Sequence, residues 1–93
     1  MEKISVDRYM LIVTIERKIY QPLFFKDIKE AQHQMCITIA AQMKMDADSL
    51  AQEFFETGDI EEDDFGITSM SAWADNYNHD NVDCTIFDLN NLE

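Results

Sequence analysis

Ninety-three residues, 46% of them hydrophobic and including six Phe, three Tyr and one Trp, make one domain with a modest core and exclude a disordered chain. Two Gly and one Pro exclude glycine-cradled phosphate loops, two Cys do not make a disulfide framework, and no apolar run approaches the roughly 18 residues of a membrane span. Net charge is −12, and it is divided unevenly along the chain. Residues 1–45 hold seven cations (Lys3, Arg8, Arg17, Lys18, Lys26, Lys29, Lys44) against five acids, whereas residues 46–93 hold fourteen acids and no Lys or Arg. A half-chain of one sign repels itself, and solubility needs far less charge. The imbalance points to a cationic partner, or a cation, and away from direct nucleic-acid binding.

The N-terminal "MEKISVDRYMLIV" has charges on both sides of a short apolar run and no small-residue cleavage site. It reads as a strand rather than a signal peptide, so a cytoplasmic protein is expected. The β-branched run "DRYMLIVTIE" places a well-buried strand over about residues 5–16. "IYQPLFF" (19–25) is a second short extended piece, which Pro22 confines to an edge or a connection.

Residues 26–45 are the strongest helix. Asp27 and Glu30 have capping-box spacing, and Ile28, Ala31, Met35, Ile39 and Met43 form one apolar stripe facing the sheet. A second helix over 46–59 is capped by Asp46 or Asp48, anchored by Leu50, Phe54 and Phe55, and ended by Gly58. "IEEDD" (60–64) reads as an acidic connection. "FGITSMSAWA" (65–74) and "VDCTIFDL" (82–89) read as two strands of a hairpin around the turn formers "DNYNHDN", with Trp73 and Cys84 as core residues. The tail "NNLE" is expected to fray. The fold class is therefore α+β: an antiparallel sheet, built from an N-terminal strand or hairpin and a C-terminal hairpin, with two helices packed on one face.

Site chemistry is sparse. Read as a calcium loop from Asn76, "DNYNHDNVD" puts Asn81 where Gly is needed and Phe87 where the bidentate Glu belongs. His33 and Cys36 stand at i, i+3 on a helix, but His79 and Cys84 complete no usual zinc spacing. Cys36 or Cys84 beside a His is a nucleophile pair without an orienting third group. No metal, cofactor or enzymatic reaction is expected. A metal-binding module remains an alternative, which a melting shift with Ca²⁺ or Zn²⁺ decides.

The specific signal is the run Glu53, Glu56, Asp59, Glu61, Glu62, Asp63 and Asp64, with Asp75, Asp80 and Asp83 as a second patch. Alternate carboxylates on an extended segment stand about 7 Å apart, comparable to successive phosphates, and suit an Arg/Lys groove. Phe54 or Phe55, and Tyr77, are candidate apolar anchors. With these acids in "EFFETGDIEEDD", its small size and its lack of catalytic motifs, the chain resembles the phage- and plasmid-encoded inhibitors of host defence, the anti-CRISPR and anti-restriction proteins. Several of those are DNA mimics. The pattern of Trp73, Asp75, Asn78, His79 and Asp83 in "AWADNYNHDNVDCTIFDL" also looks like a closing hairpin of small mobile-element proteins. The resemblance implies a non-enzymatic inhibitor whose partner is a basic nucleic-acid-binding protein, such as a defence nuclease. The competing reading is a small regulatory or structural interaction domain, possibly a homodimer through a sheet edge, whose acidity serves solubility.

Overall fold

The computed structural model describes residues 8–75 and 81–89. Within them the chain runs β1 (Tyr9–Ile15), β2 (Lys18–Ile19), β3 (Leu23–Phe25), α1 (Ile28–Met43), α2 (Ala47–Thr57), β4 (Ile60–Glu61), β5 (Phe65–Ile67), β6 (Ser71–Asp75) and β7 (Asn81–Asp88). All pairings are antiparallel, in the order β2-β1-β7-β6-β5-β4, with β3 beside β1. This is the expected α+β fold, with both helices on one face of the sheet. The first and last strands lie side by side within it, since β1 pairs along its whole length with β7.

Alternation explains the central strands. Leu11 and Val13 of β1 and Val82, Cys84 and Ile86 of β7 point into the core, while Ile12, Thr14, Asp83 and Thr85 point to the opposite face. The second extended piece divides around Pro22 into β2, opposite Thr14 and Ile15, and β3, opposite residues 9–11. Glu16 and Arg17 close the β1–β2 hairpin with φ of 54° and 68°, a turn in which neither residue is glycine.

The first helix starts where Asp27 accepts a hydrogen bond from the Lys29 amide (2.9 Å) and ends at Lys44, whose left-handed φ of 59° lets its amide reach Ala40. Its stripe buries Ala31, Met35 and Ile39, joined by Cys36 and Ala40, over β1, β3, β5, β6 and β7. Gln32 Nε2 donates to the Ser69 carbonyl (2.8 Å) and ties α1 to the β5–β6 turn. Asp46 caps α2, accepting from the Ser49 amide and hydroxyl at 3.0 and 2.8 Å, and Gly58 ends it at φ 89°. Leu50, Ala51 and Phe54 hold α2 against α1 and β4.

Four expectations change. The acidic connection at 60–64 opens with a strand, β4, at the sheet's edge. Residues 65–74 form two strands rather than one, folded back on each other where Thr68 and Ser71 exchange amide and hydroxyl bonds. Phe55 is not an anchor of α2, since it lies one helical step, about 100°, from Phe54 and is 43% exposed. Trp73 is not a core residue. It shares its face with Ser71 and Asp75, away from Ala72 and Ala74, and is 41% exposed. The start of the N-terminal strand at residues 5–7, the hairpin loop at 76–80 and the tail at 90–93 lie outside the described residues.

Candidate functional site

The helices cover one side of the sheet and leave the other open. Strand register defines what stands on the open side. One cross-strand row reads Ile19, Thr14, Asp83, Trp73, Gly66 and Glu61, from β2 to β4. The row beyond it, at one end of the sheet, brings Asn81 opposite Asp75, and the Asp75 amide bonds the Asp64 carbonyl at 2.9 Å. Toward the other end, Met10 stands between Phe24 and Phe87.

Trp73 lies on the backbone of β5. A Cβ added to Gly66 would stand 2.6 Å from Nε1 of the indole and 3.3 Å from its Cε2, so glycine at 66 is what makes room for the ring. Between the indole and the β4 edge is a cleft of about 220 Å³, lined by Asp59, Ile60, Glu61, Gly66, Ile67, Thr68 and Trp73. On the other side of the Trp73–Asp83 pair, Thr14, Glu16, Arg17, Asn81 and Asp83 line a wider hollow of about 540 Å³.

The acids named from the sequence fall into three groups. Asp59, Glu61, Asp75 and Asp83 surround Trp73 on the open face. Glu62, Asp63 and Asp64 wrap the β4–β5 corner at the sheet's outer edge. Glu53 and Glu56 lie exposed on α2, where Gln52 donates to Glu56 at 3.4 Å. None of these nine carboxylates is in an ion pair with a described residue. The pair that does form joins the ends of β1 and β7, where Arg8 forks onto both carboxylate oxygens of Asp88 at 3.0 and 3.1 Å. Asp80 and Tyr77 lie outside the described residues, as do Asn76, Asn78 and His79.

No protein-family model, curated protein or solved structure matches this chain.

The thiols are structural. Cys36 and Cys84 are 0% and 1% exposed, and burial pushes them up to about 11 and about 12; Asp83 adds to the rise at Cys84. A thiol held neutral is a poor nucleophile and a poor metal ligand. His33, three residues from Cys36, is exposed and borders a hollow of about 320 Å³ with Lys29, Glu30 and Phe55, so the two do not converge. Among the described residues no group of three or more His, Cys, Asp or Glu is placed to hold a metal ion. No helix among them is long and apolar enough to cross a membrane.

Trp73 stands on the face opposite to the expected one, although the signal for its true place is in the sequence. In "SAWAD" the small apolar Ala72 and Ala74 alternate with Ser71, Trp73 and Asp75, so the period of two assigns the indole to the polar face. Hydrophobicity alone assigns it to the core. Phe54, a candidate anchor, is 3% exposed and out of reach of a partner, whereas Phe55 is accessible.

Proposed function

We propose that this protein is a non-enzymatic acidic inhibitor, of the kind encoded by phages and other mobile elements. It acts in the host cytoplasm by occupying the nucleic-acid groove of a basic protein such as a defence nuclease. The observation that carries the reading is the distribution of carboxylates that form no ion pair with a described residue. Glu53 and Glu56 on α2, Asp59, the corner of Glu61, Glu62, Asp63 and Asp64, and Asp75 and Asp83 all belong to a half-chain without Lys or Arg, and Arg17 is the cation that shares a hollow with one of them, Asp83. A basic groove is drawn to such a surface by the same charge complementarity that draws it to DNA, and salt screens both.

The experiment is capture of the partner from host lysate, followed by competition with duplex DNA at stepped salt. If about half of the ten carboxylates engage, affinity falls at least about tenfold between roughly 50 and 200 mM salt. DNA and the protein then exclude each other. An affinity flat across that range, or simultaneous binding of DNA, overturns the proposal. Charge reversal at Asp59, Glu61, Glu62, Asp63 and Asp64 abolishes capture if the acids are the contact. It leaves association untouched if the chain is instead a homodimer made soluble by its charge.

A further inference from the structure

Among the described residues nothing covers the open face of the sheet, and its two halves differ. Toward β3, Phe24 and Phe87 are 51% and 38% exposed on either side of a half-buried Met10, with Ile12 beside them. Toward β4, a single indole sits against Gly66 with 41% of the residue in solvent; the charged residues of its cleft and of its register neighbours are the acids Asp59, Glu61, Asp75 and Asp83, with Arg17 in the hollow beyond Asp83. Exposed apolar residues gathered on one face, rather than scattered singly, mark an interaction surface.

We propose that this open face docks a partner protein through arginine, with the guanidinium seated on Trp73 and forked to the neighbouring carboxylates. This rests on the reading that the partner is basic and goes beyond it, because pure charge mimicry has no use for an indole. The chemistry selects arginine over the other cations. A guanidinium is planar, sheds water more readily than an ammonium, stacks on an aromatic face and bonds a carboxylate with two parallel N–H donors. Trp73 supplies the face; Asp83 on one register side, and Glu61 beyond Gly66 on the other, supply acceptors within one cross-strand row. The cleft of about 220 Å³ between the indole and β4 accommodates such a side chain. A nucleic-acid base also stacks on tryptophan, but its phosphates would meet four carboxylates. The strip of Phe24, Met10, Ile12 and Phe87 then takes apolar residues that flank the arginine on the partner.

Because Trp73 is the sole tryptophan, its fluorescence reports the site directly. The test titrates the full chain with blocked hexa-arginine and hexa-lysine peptides of equal charge, with a single-stranded oligonucleotide alongside. Trp73 emission should change saturably, with hexa-arginine binding about threefold to tenfold tighter than hexa-lysine, the range expected for a half-exposed cation–aromatic contact. Trp73→Leu should remove the preference and leave weaker, salt-sensitive binding of both peptides, measured by calorimetry. Asp83→Asn, an isosteric change at an exposed position, keeps the fold if Trp73→Leu does not, and should narrow the same preference. Equal affinity for the two peptides, a preference that survives both variants, or quenching by the oligonucleotide overturns the arginine seat. The first two outcomes leave charge mimicry standing, whereas failure of both peptides to bind overturns both readings.

Discussion

Gly66→Ala tests the geometry on which the Trp73 seat depends. The new methyl would stand 2.6 Å from the indole Nε1 and 3.4 Å from the Ile60 carbonyl oxygen, against ordinary contacts of about 3.5–4 Å. The β5 backbone cannot yield, because Phe65 and Ile67 on either side are held in the core at 7% and 0% exposure. The indole must therefore lift by about an ångström or swing off the sheet. A tryptophan buries about 150–250 Å², so losing roughly a third to a half of that contact at about 25 cal/mol per Å² costs about 1–3 kcal/mol. Replacing glycine in a strand returns about 0.5–1 kcal/mol. The net expectation is a destabilisation of about 1–2 kcal/mol, read by urea unfolding followed by circular dichroism, with Trp73 emission shifted to the red. In a Trp73→Leu background the same substitution should be neutral or stabilising, so the two changes couple by about 1 kcal/mol or more. A Gly66→Ala protein more stable than the parent, with unmoved emission, would refute the seat.

Two isoleucines two positions apart on α1 separate packing from propensity: Ile39→Ala, fully buried, should cost about 2–5 kcal/mol, while Ile37→Ala, 36% exposed, should cost under about 1 kcal/mol in the same urea assay. Arg17→Gly relieves a left-handed side-chain residue at φ 68°, and should stabilise the chain by about 0.5–1 kcal/mol; a loss would show that the arginine side chain contributes more than its backbone costs. Cys36 and Cys84 should resist an aromatic disulfide reagent at pH 8 until urea unfolds the protein, and rapid labelling of either would contradict its burial. The fold favours both neutral thiols. Their contribution is therefore intact below the ordinary thiol value of 9.0 and is lost as pH rises toward about 11 and about 12, which a pH series of melts detects as an alkaline fall in stability.

Most of the framework was legible because its signals are local. Asp27, Asp46 and Gly58 mark helix ends by the bonds their own side chains or backbone make, and the stripe on α1 needs only its period. Pro22 dividing the edge into β2 and β3 follows from one missing N–H. The losses occurred where two local rules compete. Residues 65–74 are apolar enough for one strand, and the backbone and hydroxyl bonds between Thr68 and Ser71 close the turn that makes them two. Ile60 and Glu61 are too short to show a period, and β4 exists because β5 offers it a partner. Trp73 was assigned by hydrophobicity when alternation placed it on the other face. The charge asymmetry was visible in sequence, but its gathering around an indole depends on the register of β4 through β7, which no single segment encodes.

That register also separates two explanations of the acidity. An unpaired edge strand invites pairing with another chain, and short strands with charged flanks discourage it. β4 is two residues long and stands at the sheet's edge with Asp59, Glu61 and Glu62, so edge protection accounts for these acids without a partner. It does not account for Asp83. This residue lies on β7, bonded on both sides by β1 and β6 at the centre of the sheet, where there is no edge to guard. A carboxylate there stands directly opposite Trp73, on a face whose neighbouring central positions are Thr14 and Thr85. Asp83→Asn and Glu61→Gln remove the same charge from the same row and should part company. If the acids only keep edges apart, Glu61→Gln increases self-association in sedimentation and Asp83→Asn does not. If they form a docking surface, both weaken capture of the basic partner while the chain's own oligomeric state stays unchanged.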